Sequence, residues 1–218
     1  MTIQQLIIAD NQDISKAGLF FFTERYKLYE KMEEAADKKE LIHLLGRVES
    51  SVVVLDYTLS DFSSADELLI LQERFPKTRW ILFSESLSND FLHRIVFSSH
   101  AFSIVQKDCG EDEILSALKY ASRNERYICN RVSNQLLTAR NEPVKKQERI
   151  LTQTETEILK EIAKGKTTKE IAVDRNLSFH TVTSHRKNIF RKLDVNNVHE
   201  ATKYAVRSGI VDMMEYYI

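Results

Sequence analysis

The sequence predicts an α/β front half, a doubly wound five-stranded parallel sheet, joined to an all-α back half whose four helices include a helix-turn-helix. Three observations carry this expectation. Short apolar runs alternate with helical patterns over about the first 126 residues, the mark of parallel strands with helices on both faces. Beyond Thr152, two capping boxes and a Ser cap open three helices in close succession. Charge divides along the same line: from Arg149 onward there are 12 Lys and Arg against 9 Asp and Glu, +3, and the remaining 19 basic and 23 acidic residues leave −4.

In the front half, Gln5 to Ala9 (QLIIA) is a short apolar run ended by Asp10 and reads as a buried parallel strand. Ile14 to Tyr26 carries apolar residues at helical spacing. Tyr29 to Glu34 is a weakly patterned strand, and Ala35 to Leu45 is helical. Ser51 to Leu55 (SVVVL) is the strongest strand pattern, ended by Asp56. A helix follows from Ala65 to Phe75, stopped by Pro76. Trp80 to Phe83 is a strand ended by Ser84, and Asn89 to Ser98 a helix. Phe102 to Val105 is the last strand, with Lys107 after it, and Glu111 to Arg123 is an amphipathic helix. Val132 to Ala139 adds a helical pattern, and Asn141 to Arg149 (NEPVKKQER) is polar and holds Pro143. The expected organisation is therefore a domain over 1–126, a linker over 127–148 and a second domain over 149–218.

In the back half, Thr152 with Glu155 forms the first capping box, and Ile158, Leu159 and Ile162 follow at helical spacing up to a left-handed stop at Gly165. Thr167 with Glu170 opens a short second helix. Ser178 caps a third, on which Val182, Ile189 and Leu193 share one face while Arg186, Lys187, Arg191 and Lys192 lie elsewhere. Asn197 with Glu200 opens a fourth, ended by Gly209. Two capped helices joined by a tight turn, the second cationic, describe a helix-turn-helix.

Composition narrows the class. The chain has 218 residues, 43% hydrophobic and 29% charged, as in an ordinary globular protein. No run approaches about 20 apolar residues, so no membrane span or membrane partner is expected, and Met1 to Ile8 has no signal-peptide pattern. The expected location is cytoplasmic. Cys109 and Cys129 show no metal or redox spacing and are expected to be free thiols. With five Gly in the chain, there is little material for a glycine-rich phosphate loop, which argues against a phosphotransferase or other enzyme.

In parallel sheets, ligands sit at the carboxyl ends of the strands. Asp10, Asp56, Ser84 and Lys107 each end a different strand. Singly, each is a common turn or cap residue. Together they suit phosphoryl transfer onto a carboxylate: Asp56 as nucleophile, Asp10 as ligand to a divalent metal, Lys107 as a fixed cation and Ser84 as a hydroxyl that senses the product.

Two sets of motifs carry a resemblance. LTQTETEIL, GKTTKEIA and TVTSHRKNIFRKLDV resemble the C-terminal DNA-binding domain of LuxR/FixJ-type (NarL/FixJ family) transcription regulators, over about the last 70 residues. Asp10, Asp56, Ser84 and Lys107 resemble the site of the flavodoxin-like receiver domain of two-component response regulators, over roughly Met1 to Arg126. The resemblance implies a phosphoacceptor at Asp56, Mg2+ as cofactor held by Asp10, Asp56 and the Thr58 backbone, a sensor histidine kinase as phosphodonor, and a homodimer on double-stranded DNA. Three departures stand out. Asn11 replaces a second acid and offers only a carbonyl oxygen, which implies weaker metal binding. Ile104 replaces an aromatic residue three before the Lys. Ser60 replaces a Pro four past the nucleophile. An alternative follows from them: the same DNA-binding regulator, with a receiver that serves as a dimerisation or partner platform independent of phosphate.

The resemblance also implies which residues meet DNA. Thr183, Ser184 and Lys187 are the base-facing positions, with Thr183 standing where many relatives carry Lys. Arg186 is a base or phosphate contact. Thr167, Lys169, Thr181, His185 and Lys192 are phosphate contacts, which set register without reading sequence.

Overall fold

The computed structural model describes residues 5–57, 62, 64–85, 87–138 and 151–211. They form two compact units, 1–142 and 143–218, each with its own core. Thr58, Ser60 and the linker residues from 139 to 148 lie outside the described residues.

The front unit is a five-stranded parallel sheet in the order β2-β1-β3-β4-β5. Strands β1 (Gln5–Ala9), β3 (Ser51–Leu55), β4 (Thr78–Ser84) and β5 (Phe102–Gln106) are apolar runs, as strands covered on both faces require. Strand β2 (Lys31–Glu34) is the charged edge. Helices α1 (Asp13–Tyr26), α2 (Lys38–Leu45), α3 (Ala65–Arg74), α4 (Asn89–Ser98) and α5 (Glu111–Ser122) connect the strands. Asp37, Ser64 and Ser88 fix the starts of α2, α3 and α4 by accepting from the backbone N–H three residues on. Alternation along the strands divides the core. Ile7, Val53, Trp80, Leu82 and Ile104 face one side, and Leu6, Ile8, Val52, Val54 and Ile81 the other.

Two expectations need correction. The helix predicted from Ala35 starts at Lys38, because Asp37 outcompetes the residues before it as a cap. Of the stretch predicted to be linker, residues 127–138 instead pack on the front unit. Tyr127 and Cys129 bracket Ile104 on the outer edge of β5: the Ile104 N–H donates to the Tyr127 carbonyl at 2.9 Å, and the Cys129 N–H donates to the Ile104 carbonyl at 3.0 Å. Helix α6 (Asn130–Thr138) follows, with Val132 buried in the core. An exposed β edge has backbone groups to satisfy, and this segment satisfies them.

In the back unit, α7 (Gln153–Ala163), α8 (Thr168–Asp174), α9 (Phe179–Leu193) and α10 (Val198–Arg207) surround one core of Ile158, Leu159, Ile162, Ile171, Val182, Ile189, Ala201 and Ala205. Both capping boxes are closed in both directions. Gly165 stops α7 at φ 83, where an L side chain is strained. Asp194 ends α9 in the same left-handed region, which Asp tolerates better than most residues.

Candidate functional site

The front site is assembled by strand register. The Asp56 N–H donates to the Ala9 carbonyl at 3.0 Å, which sets the ends of β1 and β3 level and brings Asp10 beside Asp56. The Lys107 N–H donates to the Ser84 carbonyl at 3.1 Å and aligns β5 with β4 in the same way. Asp10, Asp56, Ser84 and Lys107 therefore converge, and three of the four are almost entirely buried.

Lys107 bridges the two acids. Its Nζ lies 2.7 Å from an Asp10 carboxylate oxygen and 2.6 Å from one of Asp56. It also donates to Gln12 Oε1 at 3.1 Å and sits 5.8 Å from the centre of the Phe83 ring. The Ser84 hydroxyl donates to Asp56 Oδ1 at 2.9 Å and accepts from the Tyr57 N–H at 3.0 Å. Tyr57 is itself fixed in the core, with its ring 4.3 Å from that of Phe91.

One lysine faces two buried carboxylates, and the imbalance falls on Asp10. Burial and the neighbouring Asp56 charge raise its carboxyl above the ordinary carboxylate range, against the pull of Lys107 and the Gln12 N–H. Two adjacent buried carboxylate oxygens are hard donors with a deficit of positive charge, and this donor set fits Mg2+. Asn11, which stands where the resemblance leads one to expect a second acid, is exposed and does not share this burial. Ile104 is fully buried on β5 opposite Leu82. Gln12 and Phe83 were missed by sequence reading. Gln12, two residues past Asp10, carried a spacing clue only, and Phe83 looked like one more core residue.

The second surface is α9. Val182 and Ile189 are buried against the other helices. His180, Ser184, Lys187 and Arg191 recur at helical spacing on the opposite face, and all are exposed. Thr183 adjoins them. Its hydroxyl donates to the Phe179 carbonyl at 2.9 Å and that of Ser184 to the His180 carbonyl at 3.0 Å, so both spend their proton on the helix itself. Arg186 is half-buried with its guanidinium 5.7 Å from the Phe190 ring centre. Thr181 and His185 flank the exposed face, the Thr181 hydroxyl 2.8 Å from that of Ser178. Thr167 and Lys169 are exposed at the start of α8.

Lys192 stands apart from the other cations. Its Nζ lies 2.6 Å from Glu155, the buried carboxylate of the first capping box, which also accepts from the Thr152 N–H at 2.8 Å. Burial pushes the Glu155 carboxyl up, but the Lys192 ammonium and the Thr152 bonds together hold it below its ordinary value. Lys192 thus has a structural task that its sequence position did not announce.

Comparison with known proteins agrees with this division. Residues 149–205 match the family described as bacterial regulatory proteins, luxR family. Over 210 residues the chain is 26% identical to the transcriptional regulatory protein LiaR of Bacillus subtilis, covering 95% of this chain and 99% of that one. It is 25% identical to the response regulator protein VraR of Staphylococcus aureus over 213 residues, 97% of this chain and all of VraR. Among solved structures, the response regulator RcsB of Salmonella typhimurium aligns with a TM-score of 0.56 at 23% identity, over 94% of this chain and 98% of RcsB. A further RcsB structure, bound to promoter DNA in the presence of a beryllofluoride phosphomimetic, aligns with a TM-score of 0.53 at 22% identity, over 94% of this chain and 99% of that one.

Proposed function

We propose that this chain is a DNA-binding response regulator of the NarL/FixJ type, and that phosphorylation of Asp56 governs its dimerisation and its affinity for operator DNA. The observation that carries this reading is the convergence of Asp10, Asp56, Ser84 and Lys107 at the ends of four strands.

A carboxylate oxygen of Asp56 attacks the phosphorus of a phosphodonor, and the bond to the donor's leaving group breaks as the new P–O bond forms. Lys107 supplies a fixed positive charge for the phosphoryl oxygens, and the Tyr57 N–H and Ser84 hydroxyl stand beside Asp56 as further donors. Asp10, Asp56, the Thr58 carbonyl and, more weakly, the Asn11 side chain would hold Mg2+, which supplies charge neutralisation for the incoming oxygens. Phosphorylation draws Lys107 away from its present double pairing, and the Lys107 turn and Ser84 are the groups through which the change leaves the site. The donor is a sensor histidine kinase, as in two-component pairs.

On DNA, α9 enters the major groove. Lys187, Ser184 and Thr183 face base edges, with Arg186 beside them, while Thr167, Lys169, Thr181 and His185 meet phosphates and Lys192, expected there too, is held by Glu155. The RcsB structures on promoter DNA support this assignment by likeness of fold. Two copies on adjacent half-sites give the specificity that one short helix lacks.

A second reading keeps the DNA binding and drops the phosphate control. It is favoured by the buried Ile104, which has no ring to reorient, and by Ser84, which already engages Asp56. Incubation with acetyl phosphate or beryllofluoride plus Mg2+ separates the two readings. Phosphate control requires mass gain at Asp56 together with tighter DNA binding; an unchanged affinity and oligomeric state with full occupancy favours the second.

A further inference from the structure

Cys109 and Cys129 are distant in sequence and adjacent in space. Cys109 lies in the turn that carries Lys107, where its N–H donates to the Gln106 carbonyl at 3.0 Å. Cys129 closes the segment that covers the β5 edge, and its carbonyl accepts from the Ser133 N–H in the first turn of α6 at 3.0 Å. Glu113, in the first turn of α5, completes the group. The two Sγ atoms and a Glu113 carboxylate oxygen all lie within 4.8 Å of one another. Cys129 is buried, and the other two are half-buried, so the group is sheltered yet open to solvent on one side.

The geometry points to a binding site for a borderline-soft divalent cation of the zinc class, with Cys109, Cys129 and Glu113 as ligands and water in the fourth position. Two thiolates and one carboxylate suit a tetrahedral ion of this class and discriminate against Mg2+, which prefers oxygen alone. With Zn–S bonds of about 2.3 Å, tetrahedral ligand atoms lie about 3.8 Å apart, so the present cluster needs only a small contraction. Glu113 is already oriented for the task. Its Oε1 accepts from the Asn130 N–H at 2.9 Å and from the Tyr127 hydroxyl at 3.4 Å, the kind of outer contact that holds a metal-binding carboxylate in place.

The alternative fate of two adjacent thiols is a disulfide. Disulfide formation requires a two-electron oxidant, whereas metal binding requires only the loss of protons. When a cation binds at the centre, two S–H protons leave to solvent, two metal–sulfur bonds form, and no electrons are transferred. The site shares no donor with the Asp56 cluster. It fastens the turn behind Lys107 to the edge of β5 at Ile104 and to the head of α6, so occupancy stiffens that corner of the front unit.

The test uses the reduced full chain with Co2+ as a spectroscopic substitute and Zn2+ as competitor. One equivalent of Co2+ is expected to give the thiolate-to-cobalt charge-transfer band, and Zn2+ to remove it while excess Mg2+ does not. Cys109→Ser is expected to abolish the band, and Glu113→Gln and Tyr127→Phe to weaken binding about ten-fold or more. Asp56→Asn is expected to leave it unchanged. In the wild-type chain, Zn2+ is expected to protect both thiols from alkylation, a readout that does not depend on how any variant folds. Absence of the band and of this protection, persistence of the band in Cys109→Ser, or a Cys109–Cys129 disulfide that forms in preference to metal binding would each overturn the assignment.

Discussion

The two units place their charges in opposite ways. In the front unit, Asp10 and Asp56 share the single Lys107 cation largely out of water, in contacts of 2.7 and 2.6 Å. On α9, Lys187 and Arg191 are exposed on a face turned away from the core. Buried charges interact strongly and are screened little, whereas exposed ones act over about a Debye length and weaken with salt. The front site is therefore organised for chemistry at one atom, and the back surface for reversible attraction to a polyanion.

The contrast is broken most severely at Lys107. Lys107→Met leaves two buried carboxylates facing each other and is expected to cost about 3–5 kcal/mol in denaturant unfolding of the front unit. Adding Asp10→Asn should recover part of that loss; a double variant no more stable than the single one would mean that the acids do not repel. On the back surface, Lys187→Ala is expected to weaken specific operator binding by about 1–3 kcal/mol at fixed salt while leaving stability untouched. Operator titration checks it, and an unaltered affinity removes Lys187 from base reading.

Lys192 sharpens the comparison because it is a cation on α9 that behaves like one of the front site. Lys192→Met is expected to cost about 1–3 kcal/mol of stability in the back unit. Glu155 has a folded value below its unfolded one, so its contribution is present in full above pH 4.5 and is lost as pH falls through the lower folded value. An acid titration of unfolding should show a larger loss in the wild type than in Lys192→Met, where only the Thr152 bonds remain. The smallest effect is expected at Lys169→Ala: binding to all sequences weakens about equally, and the salt slope falls by about 1. A change in sequence preference instead would make Lys169 a base contact.

Much of this was legible in sequence, for reasons particular to each residue. Asp10, Asp56, Ser84 and Lys107 were visible because a parallel sheet gathers its strand ends at one side, so four polar residues after four apolar runs must approach one another. The starts of α7, α8, α9 and α10 were visible because their caps are local chemistry. Contacts between elements were not. Glu155 announced itself as a capping residue, and nothing within its own helix revealed that Lys192 would reach it. The Cys109–Cys129 approach depends on the chain returning along β5 after α5, and the linker prediction erred at the same place for the same reason. Gln12 enters the front site only because β1 ends level with β3, a matter of register rather than composition.

That returning segment also decides how copies of the front unit can meet. With both backbone groups of Ile104 satisfied from outside, the middle of β5 has no ladder to offer a neighbour. At the other margin, β2 is a four-residue strand bearing Lys31, Glu33 and Glu34. Both routes to a continuous intermolecular sheet are thus discouraged. This favours association through helical surfaces, where side chains rather than a repeating backbone pattern determine the fit. Backbone pairing is promiscuous, and side-chain fit is not, so covering a strand edge favours selective association.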